Sequence, residues 1–133
     1  MSYRLSLELH HPQITGNSLI SSVQMLCNYL GGGVNAADYM NQGHNAVETL
    51  NQINGVKGIS VTGVSYDEML SCISDGRPVI AKISSDEYIV ITAYNSNQIA
   101  YIESSTGTQK TISMSDAGKM FSQGGNIFVT YYK

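Results

Sequence analysis

The sequence predicts an α+β fold, and two patterns in its 133 residues carry that expectation. Apolar residues recur at helical spacing through the first half of the chain. Short runs rich in valine, isoleucine and tyrosine, separated by turn-forming residues, fill most of the second half. Helices first and strands afterwards make an N-terminal helical half, with one central buried helix, packed on a C-terminal antiparallel sheet. The length fits a single domain over 1–133, with 1–62 mainly helical and 63–133 mainly sheet.

Taken in order, Tyr3, Leu5, Leu7 and Leu9 alternate with polar neighbours and predict a strand with one buried face, ended by Pro12. Ser18 is a suitable N-cap for the next segment, where Leu19, Val23, Leu26 and Leu30 fall at i, i+4, i+7 and i+11. Ile20 and Cys27 widen that stripe, which predicts the central, mostly buried helix. Gly31-Gly32-Gly33 stops it. Asn35 can cap a short helix through Met40, and a second short helix is expected from Asn45 to Ile53, before Asn54-Gly55.

Ser65-Tyr66-Asp67-Glu68 has the spacing of a capping box, with Glu68 reaching back to the Ser65 amide, and opens a helix that ends at Gly76. Strands are then expected at 78–83, 87–94, 98–103 and 127–132. The turns between them are marked by Asn95-Ser96-Asn97 and Ser104-Ser105-Thr106-Gly107. A further strand is expected at 108–113 and a short helix at 115–121.

Composition removes several classes of function. A chain of this size can bury roughly two-thirds of its unfolded surface, so neither disulfide nor metal is needed for stability. The net charge is −3, from seven basic and ten acidic residues, and no like-charged run occurs. Neither a basic footprint for nucleic acid nor a polybasic stretch for anionic lipid is present. The opening residues contain no apolar signal-peptide core, and no apolar stretch approaches the ~20 residues that span a bilayer. The expectation is a cytoplasmic chain without membrane insertion, and no cofactor is expected.

Cys27 and Cys72 lie in different predicted helices without metal-ligand spacing, and read most simply as two reduced thiols packed as small apolar side chains. A disulfide between them stays open at this level. His10, His11 and His44 are the three histidines. Nine tyrosines and no tryptophan make tyrosine the dominant aromatic. Tyr88, Tyr94, Tyr101, Tyr131 and Tyr132 fall on predicted strands, where they pack at the core edge or line a peptide cleft.

The segment from Gln13 to Tyr29, with a glutamine six positions before the residue that opens an apolar helix, resembles the papain-like cysteine peptidases of the bacteriocin-processing family, which act on double-glycine leaders. The resemblance continues through Gly76-Arg77-Pro78-Val79-Ile80, the strand opened by Glu87-Tyr88-Ile89-Val90, and the strand and turn Ile99 to Gly107. It implies a papain-like fold in which the nucleophilic cysteine's place holds Leu19, the histidine's place holds Glu87, and the orienting aspartate's place holds Glu103. Ser104 stands where the family has proline. Gln13, at the oxyanion-donor position, keeps the family's residue.

Leucine has no lone pair with which to attack a carbonyl, and peptidase chemistry needs a thiolate, an imidazole and an acid for the leaving amine. The resemblance therefore implies a degenerate, non-catalytic member. Cys27 lies two helical turns, about 12 Å, beyond Leu19, away from the dipole-favoured end, and all three histidines precede the strand that would carry the base.

On this alignment Glu87 and Glu103 come together beside the Leu19 end of the helix, where burial and mutual repulsion are expected to raise one pKa. Such a pair suits acid/base chemistry or a hard cation such as Ca²⁺, with Asp86 adding charge. The simpler and favoured reading is two half-exposed strand-end carboxylates without a role. The expected function is a pseudo-peptidase domain that binds a peptide or unfolded protein segment, an exported polypeptide among them, through Gln13, Leu19, Glu87, Tyr88 and Glu103. The alternatives are a hydrolase or transferase built on the Glu87/Glu103 pair, and an inhibitor or immunity partner that mimics a peptidase.

Overall fold

The computed structural model describes residues 3–4 and 18–133. In chain order these form β1 (Tyr3–Arg4), α1 (Ser18–Leu30), α2 (Ala36–Asn41), α3 (Ala46–Leu50), β2 (Lys57–Thr62) and α4 (Tyr66–Ser74). They continue as β3 (Val79–Lys82), β4 (Tyr88–Tyr94), β5 (Gln98–Glu103), β6 (Thr108–Ser113), α5 (Met114–Gln123) and β7 (Ile127–Tyr132). The expected α+β architecture is the one observed. Of the predicted N-terminal strand only Tyr3–Arg4 is described, and the remainder, with Pro12, lies outside the described residues.

All strand pairs are antiparallel, in the order β2-β7-β3-β4-β5-β6, with β1 pairing β4 off that path. The sheet separates two apolar clusters. On one face, Val23, Met25, Leu26 and Cys27 of α1 meet Ile80, Val90, Ile102, Val129 and Tyr131. On the other, Met69, Leu70 and Ile73 of α4 and Ala117 and Phe121 of α5 meet Val79, Ala81, Ile89, Ile91 and Phe128. The central strands are therefore covered on both sides. That explains why β3 and β4 read as continuous apolar runs rather than clean alternations.

Local chemistry sets the boundaries. Asn35 caps α2 by accepting from the Asp38 amide at 3.0 Å. Asn45 and Glu48 form a reciprocal capping box on α3, which is shorter than the expected span and ends at Leu50. Ser65 caps α4 by accepting from the Glu68 amide, but the returning Glu68 carboxylate meets the Ser65 hydroxyl at 3.2 Å where the amide was expected. Gly76, at φ 84°, turns the chain out of that helix.

Residues 57–62 carried no expected element, yet they form β2 and pair with β7 from Lys57↔Tyr132 to Thr62↔Ile127. The first half of the chain thus contributes an edge strand to the sheet. Its Gly58 is required because a Cβ there would lie 2.9 Å from the Val47 carbonyl oxygen of α3.

The C-terminal end of α5 closes against the turn after β3. A Cβ added at Gly124 would collide with the backbone carbonyl of Lys82. Because backbone cannot step aside as a side-chain tip can, Gly124→Ala is expected to cost about 2 kcal/mol or more. Urea unfolding should register it as a lowered midpoint at unchanged slope.

Candidate functional site

The first turn of α1 is held to the sheet by hydroxyl groups. Ser18 does not serve as the expected N-cap. Its Oγ accepts the Tyr88 backbone N–H at 2.8 Å and donates to the Asp86 carbonyl at 3.4 Å, tying the helix start to the entry of β4. One turn on, the Ser22 hydroxyl donates to the Ser18 carbonyl at 2.7 Å and shares a 2.6 Å bond with the Ser104 hydroxyl just beyond β5. Ser18, Ser22 and Ser104 are all buried. Each spends its polarity on a partner, as a buried hydroxyl must.

Leu19 sits between these ties at the start of α1, as expected. It is half-buried and packs, with Tyr88, against the α1 cluster. Gln13, His10 and His11 lie outside the described residues.

The expected convergence of Glu87 and Glu103 beside Leu19 does not occur. Successive strand side chains point to opposite faces. Val90 and Ile102 belong to the α1 cluster, whereas Ile89 and Ile91 belong to the α4/α5 cluster, which Tyr101 also packs against. Glu87 shares parity with Ile89, and Glu103 both shares parity with Tyr101 and pairs with Ile89. Both carboxylates therefore belong to the face turned away from α1. One residue later in each case, Tyr88 and Ser104 face the helix.

Nor is the carboxylate pair left to repel itself. Lys110 of β6 reaches Glu103 at 2.7 Å, and the Thr106 hydroxyl donates to the same carboxylate at 3.1 Å. The Lys110 contact lowers the Glu103 pKa below the usual glutamate range, against a smaller opposing effect of desolvation. Lys110 is correspondingly raised, first by its bond to Glu103 and also by the charge of Glu87. The upward shift expected for one member of the pair does not fall on Glu103, whose pKa Lys110 lowers instead. Among the described residues, no three or more of His, Cys, Asp and Glu gather as a metal site.

Other nucleophiles are poorly placed. Cys27 and Cys72 are free thiols. Cys27 is 1% exposed, and burial pushes its pKa up to about 11, so it stays protonated at neutral pH. His44 stacks on Tyr39 at 3.9 Å and lies 3.7 Å from Glu48, between α2 and α3.

Together, the sheet, the helix laid across β4 and the position of α1 define a papain-like fold of the C39 peptidase type. Two solved structures share it. One is a protein from Bacillus anthracis assigned as a C39-like peptidase (TM-score 0.78, 14% identity, covering 98% of this chain and 97% of that one). The other is a double-glycine-motif protease from an AMS/PCAT transporter, solved in complex with the leader peptide (TM-score 0.70, 14% identity, covering 97% and 93%). By sequence, no family model and no curated protein matches the chain.

Two outcomes test this geometry. Ser104→Ala strips a buried hydroxyl from the tie and leaves Ser22 with one fewer partner, so a loss of about 1–2 kcal/mol is expected in denaturant unfolding. Lys110→Met should raise the Glu103 pKa towards the ordinary glutamate value, read by carbon-detected NMR titration of its carboxylate. A lowered folded pKa means that this pair's contribution to stability is present above the unfolded glutamate range. It is lost as pH falls through the lowered folded value, and Lys110→Met should remove that acid-side dependence.

Proposed function

We propose that this chain is a non-catalytic relative of the C39 peptidases, and that it holds an extended peptide or unfolded protein segment beside the N-terminus of α1 without cutting it. The reading rests on Leu19, an apolar side chain that packs, as Tyr88 does, against the α1 cluster, at the position that the resemblance gives to the family's nucleophile. Around it, Ser18, Ser22 and Ser104 are committed to holding the helix on the sheet. A nucleophile needs a base beside it. The strand positions that face α1 carry a tyrosine and a serine, and Tyr88 has no basic nitrogen.

A peptide-binding role draws support from the transporter protease whose structure includes a leader peptide. In this chain, Leu19 and Tyr88 would offer an apolar floor to the ligand, and Gln13 would donate to a carbonyl that is bound but never attacked. An exported polypeptide is the favoured partner. A hydrolase built on the Glu87/Glu103 pair is a weaker reading, because such chemistry needs one carboxylic acid protonated near neutral pH and Lys110 favours the ionised form of Glu103.

The test is calorimetric titration with a synthetic double-glycine leader peptide, followed by mass spectrometry of the mixture. Binding without a cleavage product is expected. Leu19→Lys, which would desolvate an ammonium in the bound state, should weaken binding at least about tenfold. A cleaved peptide would disprove the non-catalytic assignment, and unaltered binding by Leu19→Lys would remove the α1 N-terminus as the site.

A further inference from the structure

Strand β2 ends the sheet, pairing with β7 on one side only. Two hydrogen bonds fix which of its backbone groups face outward. The Gly63 N–H donates inward to the Asn126 carbonyl at 2.9 Å, and the Gly58 N–H donates outward to Asn51 Oδ1 at 2.8 Å. By alternation, the N–H and C=O of Ser60 and Thr62 point outward, and both residues are exposed. Among the described residues nothing pairs with them. Neither a proline nor a charged residue stands between Gly58 and Gly63, so the usual guards of a sheet edge are missing there. The opposite edge strand, β6, carries Lys110.

A pocket of ≈ 230 Å³ opens beside this edge on the α4 face. Its lining includes Ile59, Val61, Val64, Met69, Cys72 and Phe128. It is smaller than the roughly 300–1,000 Å³ typical of small-molecule sites, and suits one or two apolar side chains.

Charge marks one end. Lys57 is opposite Tyr132 across β2 and β7, the Arg77 guanidinium lies 5.0 Å from the centre of the Tyr132 ring, and Lys133 follows. Asp75 offsets part of this through its 3.3 Å contact with Arg77. Three cations at this end, set against the carboxylates of Asp75 and, in the pocket lining, Glu68, leave a local excess of positive charge in a chain of net charge −3.

We propose that the outer edge of β2 is a docking surface for an extended peptide with an acidic end. Its backbone pairs with Ser60 and Thr62, one apolar side chain enters the pocket behind Ile59 and Val61, and its acidic residues lie towards Lys57 and Lys133. A strand running antiparallel to β2 presents its C-terminal residues at that end. This surface is three strands from β4, where α1 packs, so the proposal does not rest on a site at the α1 N-terminus. A second copy of the chain fits less well. A stable dimer buries about 1,200–2,000 Å² in all, whereas only two free edge residues are on offer here, enough for a single short peptide.

The experiment uses the intact chain and an acetylated, amidated hexapeptide, Thr-Val-Thr-Leu-Glu-Glu, followed by NMR-detected amide exchange. Saturating peptide is expected to slow exchange at Ser60 and Thr62 about tenfold and to leave Ile59 and Val61, already bonded to β7, unchanged. A peptide N-methylated at its pairing amides, which leaves the protein untouched, should bind at least about tenfold more weakly. Ser60→Pro, which removes an outward donor but no β7 bond, should do the same. Replacing the two glutamates by lysine should weaken binding several-fold at low salt.

Unchanged exchange at Ser60 and Thr62, or equal binding of the N-methylated peptide, would overturn the proposal. So would protection of the same amides without peptide, rising with protein concentration, which would identify a second copy as the occupant. Equal binding of the lysine peptide would overturn the acidic preference.

Discussion

The pleat of β4 and β5 is the constraint on which the rest of the molecule depends. Both strands are covered on both faces, so each side chain is committed to one of two cores, and a shift of one residue would exchange them. Val90 and Ile102 fill the α1 side, while Ile89 and Ile91 fill the α4/α5 side. Once those four are placed, the residues at the strand ends have no freedom of face. Tyr88 and Ser104 go to the helix, and Glu87 and Glu103 go to the far side. A reading that aligned motifs by identity and spacing brought the two carboxylates to the helix, and the apolar residues beside them decide otherwise.

The helix end that this pleat faces is held by short polar contacts rather than by a charged pair. The dipole of a helix N-terminus favours a nearby anion such as a thiolate, but α1 presents leucine there. The hydroxyls of Ser18, Ser22 and Ser104 instead join helix to sheet over 2.6–2.8 Å. Buried hydroxyl networks are stabilising when every member is satisfied, and among the described residues no buried side-chain nitrogen or oxygen lacks a partner.

Much of the fold was legible in the sequence because its signals are local. The Leu19, Val23, Leu26 and Leu30 stripe, the Asn35 and Ser65 caps, and the valine- and isoleucine-rich runs after Pro78 each report on a few neighbouring residues. What was hidden depends on partners distant in the chain. Ile59 and Val61 alternate with polar residues as a strand would, but only pairing with β7, more than sixty residues away, gives β2 a reason to form. Lys110 looks like any surface lysine until β6 lies against β5 and brings it to Glu103. Ser104 was within reach, since counting in twos from Ile102 puts it on the core face.

The two apolar cores also explain how this scaffold can match C39 structures at 14% identity over nearly its whole length. Neither cluster includes Glu87 or Glu103, and the contribution of Leu19 is a partly buried side chain at the margin. Apolar burial depends on the area removed from water rather than on the identity of the residue, so the interior can be rewritten if volume and alternation are kept. Chemistry at the helix end is then free to change independently of the fold. The same independence limits what the fold implies about activity. The scaffold brings an α1 N-terminus to two strand ends, and only the side chains at that junction decide whether a bound peptide would be cut or merely held.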